Sequence, residues 1–78
     1  MTKNLDKQTA DAKLSVGKKI FVMRKAAGLT QTRLGEMLGL PRESIARVEK
    51  GGQNVTLETL VRLANALRKQ LDVRFSKS

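Results

Sequence analysis

Within "PRESIARVEK", residues 41–50, four side chains could make directional hydrogen bonds from one short helix. Arg42 and Arg47 carry planar forks of N–H donors, Glu43 is an acceptor, and Ser44 is a small hydroxyl that can donate or accept. An arginine fork can pair two acceptors at once, and a carboxylate can take the complementary donor. The same residues also fit an ordinary solvated face, with Glu43 and Arg47 spaced as an i,i+4 ion pair. Residue type alone leaves both readings open.

Composition narrows the chemistry. The 78 residues include no histidine and no cysteine, so the most common general base, the strongest common nucleophile and the usual zinc ligands are all missing. No carboxylate cluster in the sequence suggests a catalytic metal, so neither an enzyme nor a metal or cofactor site is expected. Sixteen Lys and Arg against seven Asp and Glu leave a formal charge of +9, which points to a polyanion as partner. The positive charges run along the whole chain, and no segment joins a basic face to bulky aromatics. There is no apolar run near 18 residues, and residues 1–13 are too polar for a secretory signal, so a cytoplasmic protein without a membrane partner is expected. A domain this small buries only about 60–65% of its unfolded surface, so a second subunit would add useful stability.

The elements that must position these residues follow from periodicity. Residues 1–14 contain only Leu5 and Leu14 as large apolar groups among Lys, Asp, Asn, Gln and Thr, and read as a flexible arm. Residues 15–68 form the folded domain. Ser15 is a candidate cap for a first helix over 16–27, with Val16, Ile20, Met23 and Ala27 inward and Gly28 as terminator. Thr30 caps a second helix with Leu34, Met37 and Leu38 as its stripe, stopped by Gly39. Pro41 suits the first turn of a third helix over 41–50, with Ile45 and Val48 inward before Gly51 and Gly52. Thr56 caps a fourth, whose Leu57, Leu60, Val61, Leu63, Ala64 and Leu67 make a wide apolar face.

In the tail, residues 69–78, Leu71, Asp72, Val73, Arg74 and Phe75 alternate apolar and charged with a period of two, a strand signal. A lone strand leaves backbone groups unpaired, so Leu71, Val73 and Phe75 are expected to dimerise by pairing with the same segment of a second copy. A short fifth helix or a loose tail is the alternative.

Small Gly35 lets two helices cross closely, Gly39 permits the positive φ of a tight turn, and Ile45 plugs the angle between them. From about Val16 to Leu67 the chain resembles the Cro/C1-type (XRE-like) helix-turn-helix family. The resemblance is carried by "IFVMRKAAGLTQTRLGEMLGL", "IARVEKG" and "TLETLVRLANAL", with Gly28-Leu29-Thr30-Gln31, Leu34, Gly39, Ile45, Glu49 and Gly51 in register. It implies an all-α, four-helix, lambda-repressor-like domain in which Arg42, Glu43, Ser44 and Arg47 of the recognition helix face base edges. It further implies that Gln31 contacts a phosphate and braces that helix, that Thr30 caps beside the backbone, and that Arg24 pairs with Glu49 as a structural ion pair. Gln53 and Asn54 in the loop after the recognition helix are candidate phosphate contacts, as are Lys18 and Lys50.

Three positions depart from the family pattern: Gly35 in place of alanine, Pro41 in place of a capping Ser or Thr, and Arg68 where many members have glycine. The strand-like tail resembles that of the HipB-like antitoxin branch. The expectation is therefore a homodimeric regulator of transcription, a repressor, on double-stranded DNA with an inverted-repeat operator. The alternative is an antitoxin that neutralises a toxin protein and autoregulates its operon.

Overall fold

The computed structural model describes residues 4–77. Helix formation starts well before the apolar periodicity does: α1 spans Leu5–Ala26, followed by α2 at Gln31–Leu38, α3 at Arg42–Glu49 and α4 at Leu57–Ala66. Most of the expected arm, residues 5–14, is therefore the first turns of α1, while residues 1–3 lie outside the described residues. No Gly or Pro interrupts residues 5–16, Ala10 and Ala12 favour helix, and Lys7 reaches Asp11 one turn on at 2.8 Å. Ser15 consequently sits inside α1 rather than capping it. Leu14 lies against Gly51, so this extension leans on the turn that follows α3.

All four helices end in the same doubly bonded turn. The N–H that closes each turn reaches back five residues: Leu29 to the Arg24 carbonyl, Leu40 to Gly35, Gly52 to Arg47, and Lys69 to Ala64, at 2.7–3.1 Å. The turn needs one residue in the left-handed region. Glycine supplies it at 28, 39 and 51, and Arg68 supplies it after α4, with φ of 59°. The family's glycine preference at that position thus has a conformational cause, and Arg68 is held in it against the steric preference of an L-residue.

Leu34, Ile45 and Leu63 are fully buried at the centre of a core that also holds Ile20, Leu38, Val48 and Leu67. Helix α3 packs against both α1 and α2, and α2 also packs against α4. The α1–α3 approach is limited by Gly17, where an added Cβ would meet the carbonyl oxygens of Val48 and Glu49 at 2.4 and 2.6 Å. Gly35 plays the expected part between α2 and α3, with the Leu40 carbonyl 2.5 Å from where a Cβ would stand. Across the core, Arg62 of α4 donates to the Leu38 carbonyl at 2.6 Å and so satisfies an orphan acceptor at the end of α2.

Several expectations change. Pro41 is the N-cap of α3 rather than its first helical residue, with extended backbone at φ −69° and ψ 155°. Met37, Ala27, Leu57 and Val61 are exposed rather than inward, Leu57 by 67%. Residues 69–77 form neither strand nor helix, and no strand occurs among the described residues. Leu71 explains part of this, because it is half-buried in a groove of its own chain between Val16 and Ile20 of α1 and Leu60 and Ala64 of α4. Val73 and Phe75 are exposed, Phe75 by 96%.

Arg68→Gly is expected to raise unfolding stability by about 0.5–1 kcal/mol, the balance between relieved left-handed strain and a freer unfolded chain. Urea denaturation measures it, and an unchanged or lower midpoint contradicts the strain assignment.

Candidate nucleic-acid interface

The outer surface of α3 is built by what its inner surface must do. Ile45 and Val48 are committed to the core, which leaves Arg42, Glu43 and Arg47 exposed on the other side. Ser44 does not join them. It lies one turn before Val48 on the same side of the helix and is only 9% exposed, so it is corrected from an outward reading position to a covered one.

Helix α2 meets α3 at its N-terminal end. The Thr30 hydroxyl accepts from the Arg33 N–H at 3.0 Å, which caps the first turn. The N–H groups of Gln31 and Thr32 precede that bond and form the positive end of the helix dipole, a setting that suits a phosphate oxygen. Thr30, Gln31 and Arg42 line one shallow hollow with Arg24, Leu29 and Lys25. Lys25 was not singled out from the sequence, where it is one of many basic residues; its position in the last turn of α1 places it at the rim.

Behind the hollow lies a continuous polar chain. Arg24 Nε donates to Glu49 Oε2 at 2.6 Å and Nη2 to Oε1 at 3.1 Å, with the two side chains only 8% and 5% exposed. The third Arg24 bond, from Nη1 to the Leu29 carbonyl at 2.8 Å, holds the loop that leads into α2. Phe21 covers the guanidinium, its ring centroid 5.4 Å from Cζ. Gln31 then donates from Nε2 to Glu49 Oε1 at 3.0 Å and accepts from Arg42 Nη1 at 2.8 Å. Among the described residues no buried side-chain polar atom lacks a partner.

The remaining candidates are more scattered. Arg47 makes one long bond, 3.4 Å, from Nε to Gln53 Oε1. Gln53 and Asn54 line a second hollow against Thr9, Ala12 and Val16 of α1, away from the Gln31 hollow. Lys50 is exposed at the far end of α3, roughly 12 Å along the axis from Arg42. Lys18 sits with Lys19, Val22 and Met23 on the outside of α1 and does not share the hollow of Thr30, Gln31 and Arg42. No group of three or more acidic residues able to hold a metal ion occurs among the described residues. Nor is any described helix long and apolar enough to cross a membrane.

Comparison with known proteins gives this arrangement a context. The helix-turn-helix family model matches residues 22–73, more than half of the chain. The control protein C.SmaI of Serratia marcescens is 40% identical over 57 residues, covering 73% of this chain and 68% of that protein. The immunity repressor protein of Bacillus phage phi105 is 39% identical over 54 residues, covering 69% of this chain and 38% of the repressor. An HTH-type transcriptional regulator of Haemophilus influenzae is 33% identical over 64 residues, 82% of this chain and 65% of its own length. The chain thus spans between about a third and two-thirds of the length of several of its relatives. Among solved structures, the restriction-modification controller protein C.AhdI from Aeromonas hydrophila superimposes with a TM-score of 0.74 at 33% identity, covering 78% of this chain and 88% of that one. The clp gene regulator ClgR from C. glutamicum shares the fold at the same TM-score, 0.74, with 22% identity and 76% coverage of each chain.

Removing one half of the ion pair is expected to be far more damaging than removing both. Arg24→Met should lower stability by about 3–5 kcal/mol by stranding Glu49, and Arg24→Met/Glu49→Leu should recover most of that loss. Chemical denaturation of both variants checks this, and equal losses in the two would show that the charges contribute in another way.

Proposed function

Because the chain belongs to the helix-turn-helix family, we propose that it is a DNA-binding regulator of transcription that lays α3 in the major groove of a duplex. The observation that carries this reading is the division of α3 into a core face, Ile45 and Val48, and an exposed face bearing Arg42, Glu43 and Arg47. Arg42 and Arg47 then read base edges, an arginine fork being matched to guanine O6 and N7, and Glu43 accepts from cytosine N4. Thr30, the Gln31 and Thr32 N–H groups and Lys25 hold the phosphate backbone beside them, with Lys50 as a further contact at the end of α3. The +9 charge supports the same partner. Such a protein acts by occupancy of a site and not by catalysis.

The active form in this proposal is a homodimer on an inverted repeat, with half-sites about 34 Å apart, acting as a repressor. Its support is apolar surface that one chain does not cover: Leu57 and Val61 one turn apart on α4, and Val73 and Phe75 in the tail. A second copy would cover them and give the tail's backbone groups a partner strand. Leu71, already half-buried in its own chain, is the weakest of the three proposed dimer residues. The relatives described above are regulators, repressors and control proteins by name, which favours a regulator over an antitoxin.

Selection of bound duplexes from a random library at near-physiological salt is expected to enrich an inverted repeat. On that repeat Arg42→Ala and Arg47→Ala should each weaken binding by about 1–3 kcal/mol and relax preference at one base pair. Binding that disappears as salt rises, with nothing enriched, would contradict sequence-specific reading.

A further inference from the structure

The N-terminal turns of α1 border a space that the exposed face of α3 does not use. Because α1 runs on past Gly51, its turns around Ala12 stand opposite the loop at residues 53–55, and a hollow of about 270 Å³ opens between them. Buried Val48, half-buried Val16, Val55 and Leu60, and the Ala12 methyl make its apolar wall. Leu71 of the tail lies in the neighbouring groove, which shares Val16 and Leu60, and leaves this hollow open. We propose that the hollow binds a small amphiphilic carboxylate, an acid group on an apolar body the size of a benzene ring, and that its occupation weakens DNA binding through Gln53 and Arg47. The site stands apart from the proposed function; its effect on DNA rests on that reading.

Size, charge and free donors set the chemistry of the ligand. A cavity of about 150 Å³ is enough for benzene, and most sites for larger ligands span ~300–1,000 Å³, so this one suits a single ring or short branched chain with a headgroup. Lys13 is the only charged residue of the lining, and no described carboxylate pairs with it. Arg47 can only donate, so its bond to Gln53 turns the amide oxygen toward Arg47 and leaves Gln53 Nε2 without a partner among the described residues. The neighbouring Asn54 amide, also in the lining, is free in the same sense. One cation and two amide N–H₂ groups beside an apolar wall match an acceptor-only headgroup, whose charge strengthens each hydrogen bond. A neutral apolar molecule would leave those donors to water, and a bare anion would leave the wall uncovered.

Gln53 links the hollow to the exposed face of α3. Its carbonyl oxygen is the only side-chain hydrogen-bond partner of Arg47 among the described residues, at 3.4 Å. A carboxylate held on the N–H₂ side of the same amide sits one side chain away from the Arg47 guanidinium. There it sets a negative charge beside an arginine that must meet a polyanion, and offers the arginine fork an acceptor that competes with a base edge. Both effects oppose DNA, so the acid acts as a releasing signal.

The probes are benzoate, benzamide, which keeps the ring without the charge, and acetate, which keeps the charge without the ring. Each is titrated into the 15N-labelled free protein as wild type, Lys13→Met and Ala12→Met, the last filling the hollow with a longer side chain. Both substitutions put a good helix former on α1 away from the core, and the spectra confirm that the fold is kept. Benzoate is expected to give saturable shifts at residues 12–16 and 53–55, including the Gln53 and Asn54 side-chain amides. Benzamide and acetate should bind at least about 10-fold more weakly, and each variant should lose about 10-fold in benzoate affinity. Saturating benzoate should then lower affinity for the selected duplex about 3- to 10-fold beyond acetate at equal ionic strength, in the wild type only. Equal binding of the three probes, benzoate shifts elsewhere on the protein, or undiminished binding by both variants would overturn the site. Shifts here that follow protein concentration and not benzoate would assign the hollow to a second copy, and overturn it too. Benzoate seated in the hollow with DNA affinity unchanged would overturn the coupling. A wild type that selects no duplex would fail the proposed function, and the coupling with it, while the benzoate titration still decides the site.

Discussion

The ion pair between Arg24 and Glu49 is the contact on which the geometry of the proposed reading surface turns, because its hydrogen bonds tie three parts of the chain together at one point. Arg24 belongs to the last turn of α1, Glu49 to the last turn of α3, and the Leu29 carbonyl to the loop that opens α2. Burying two charges is nearly self-cancelling in stability, since desolvation offsets most of their attraction. What the pair supplies is a fixed position. A hydrophobic pair could fill the same volume, but it would offer the Gln31 amide no acceptor and would leave the Leu29 carbonyl without its donor.

Around that point the packing is close enough to leave little freedom. Gly17 brings the α1 backbone onto the carbonyls at the end of α3, and Gly35 does the same between α2 and the turn that leads into α3. Leu34, Ile45 and Leu63 fill the angle between the helices. Helix α3 is held on two sides, by α1 and α2, and its third side is left to solvent. A short helix of eight residues would be marginal alone, so its existence as a presented surface depends on these tertiary contacts and not on its own propensity.

The signals that proved readable in the sequence were local ones. Thr30 and Thr56 cap because their hydroxyls reach an N–H three residues on, and the glycines at 28, 39 and 51 mark ends because a left-handed residue is needed there. Where burial did not write a pattern, the reading failed. The first turns of α1 carry no apolar stripe, so their helicity rests on propensity and the absence of breakers. Ser44 looked available because it neighbours Arg42, yet helical geometry puts it on the side of Val48. The alternation from Leu71 to Phe75 described a strand whose partner no single chain contains, and Leu71 instead settles between α1 and α4. Arg62 on the Leu38 carbonyl and Gln31 between Glu49 and Arg42 join residues 24, 18 and 11 positions apart, which no local pattern could indicate.

In the proposed function DNA meets this protein at α3 and the N-terminal end of α2. Titration of the 15N-labelled protein with a bound duplex, followed by backbone and side-chain amide NMR, tests it most directly. The largest shifts are expected at Thr30–Thr32, along the exposed positions of α3 and at the Gln31 side-chain amide. Shifts concentrated on α4 or the tail, with α3 and Gln31 unmoved, would contradict it.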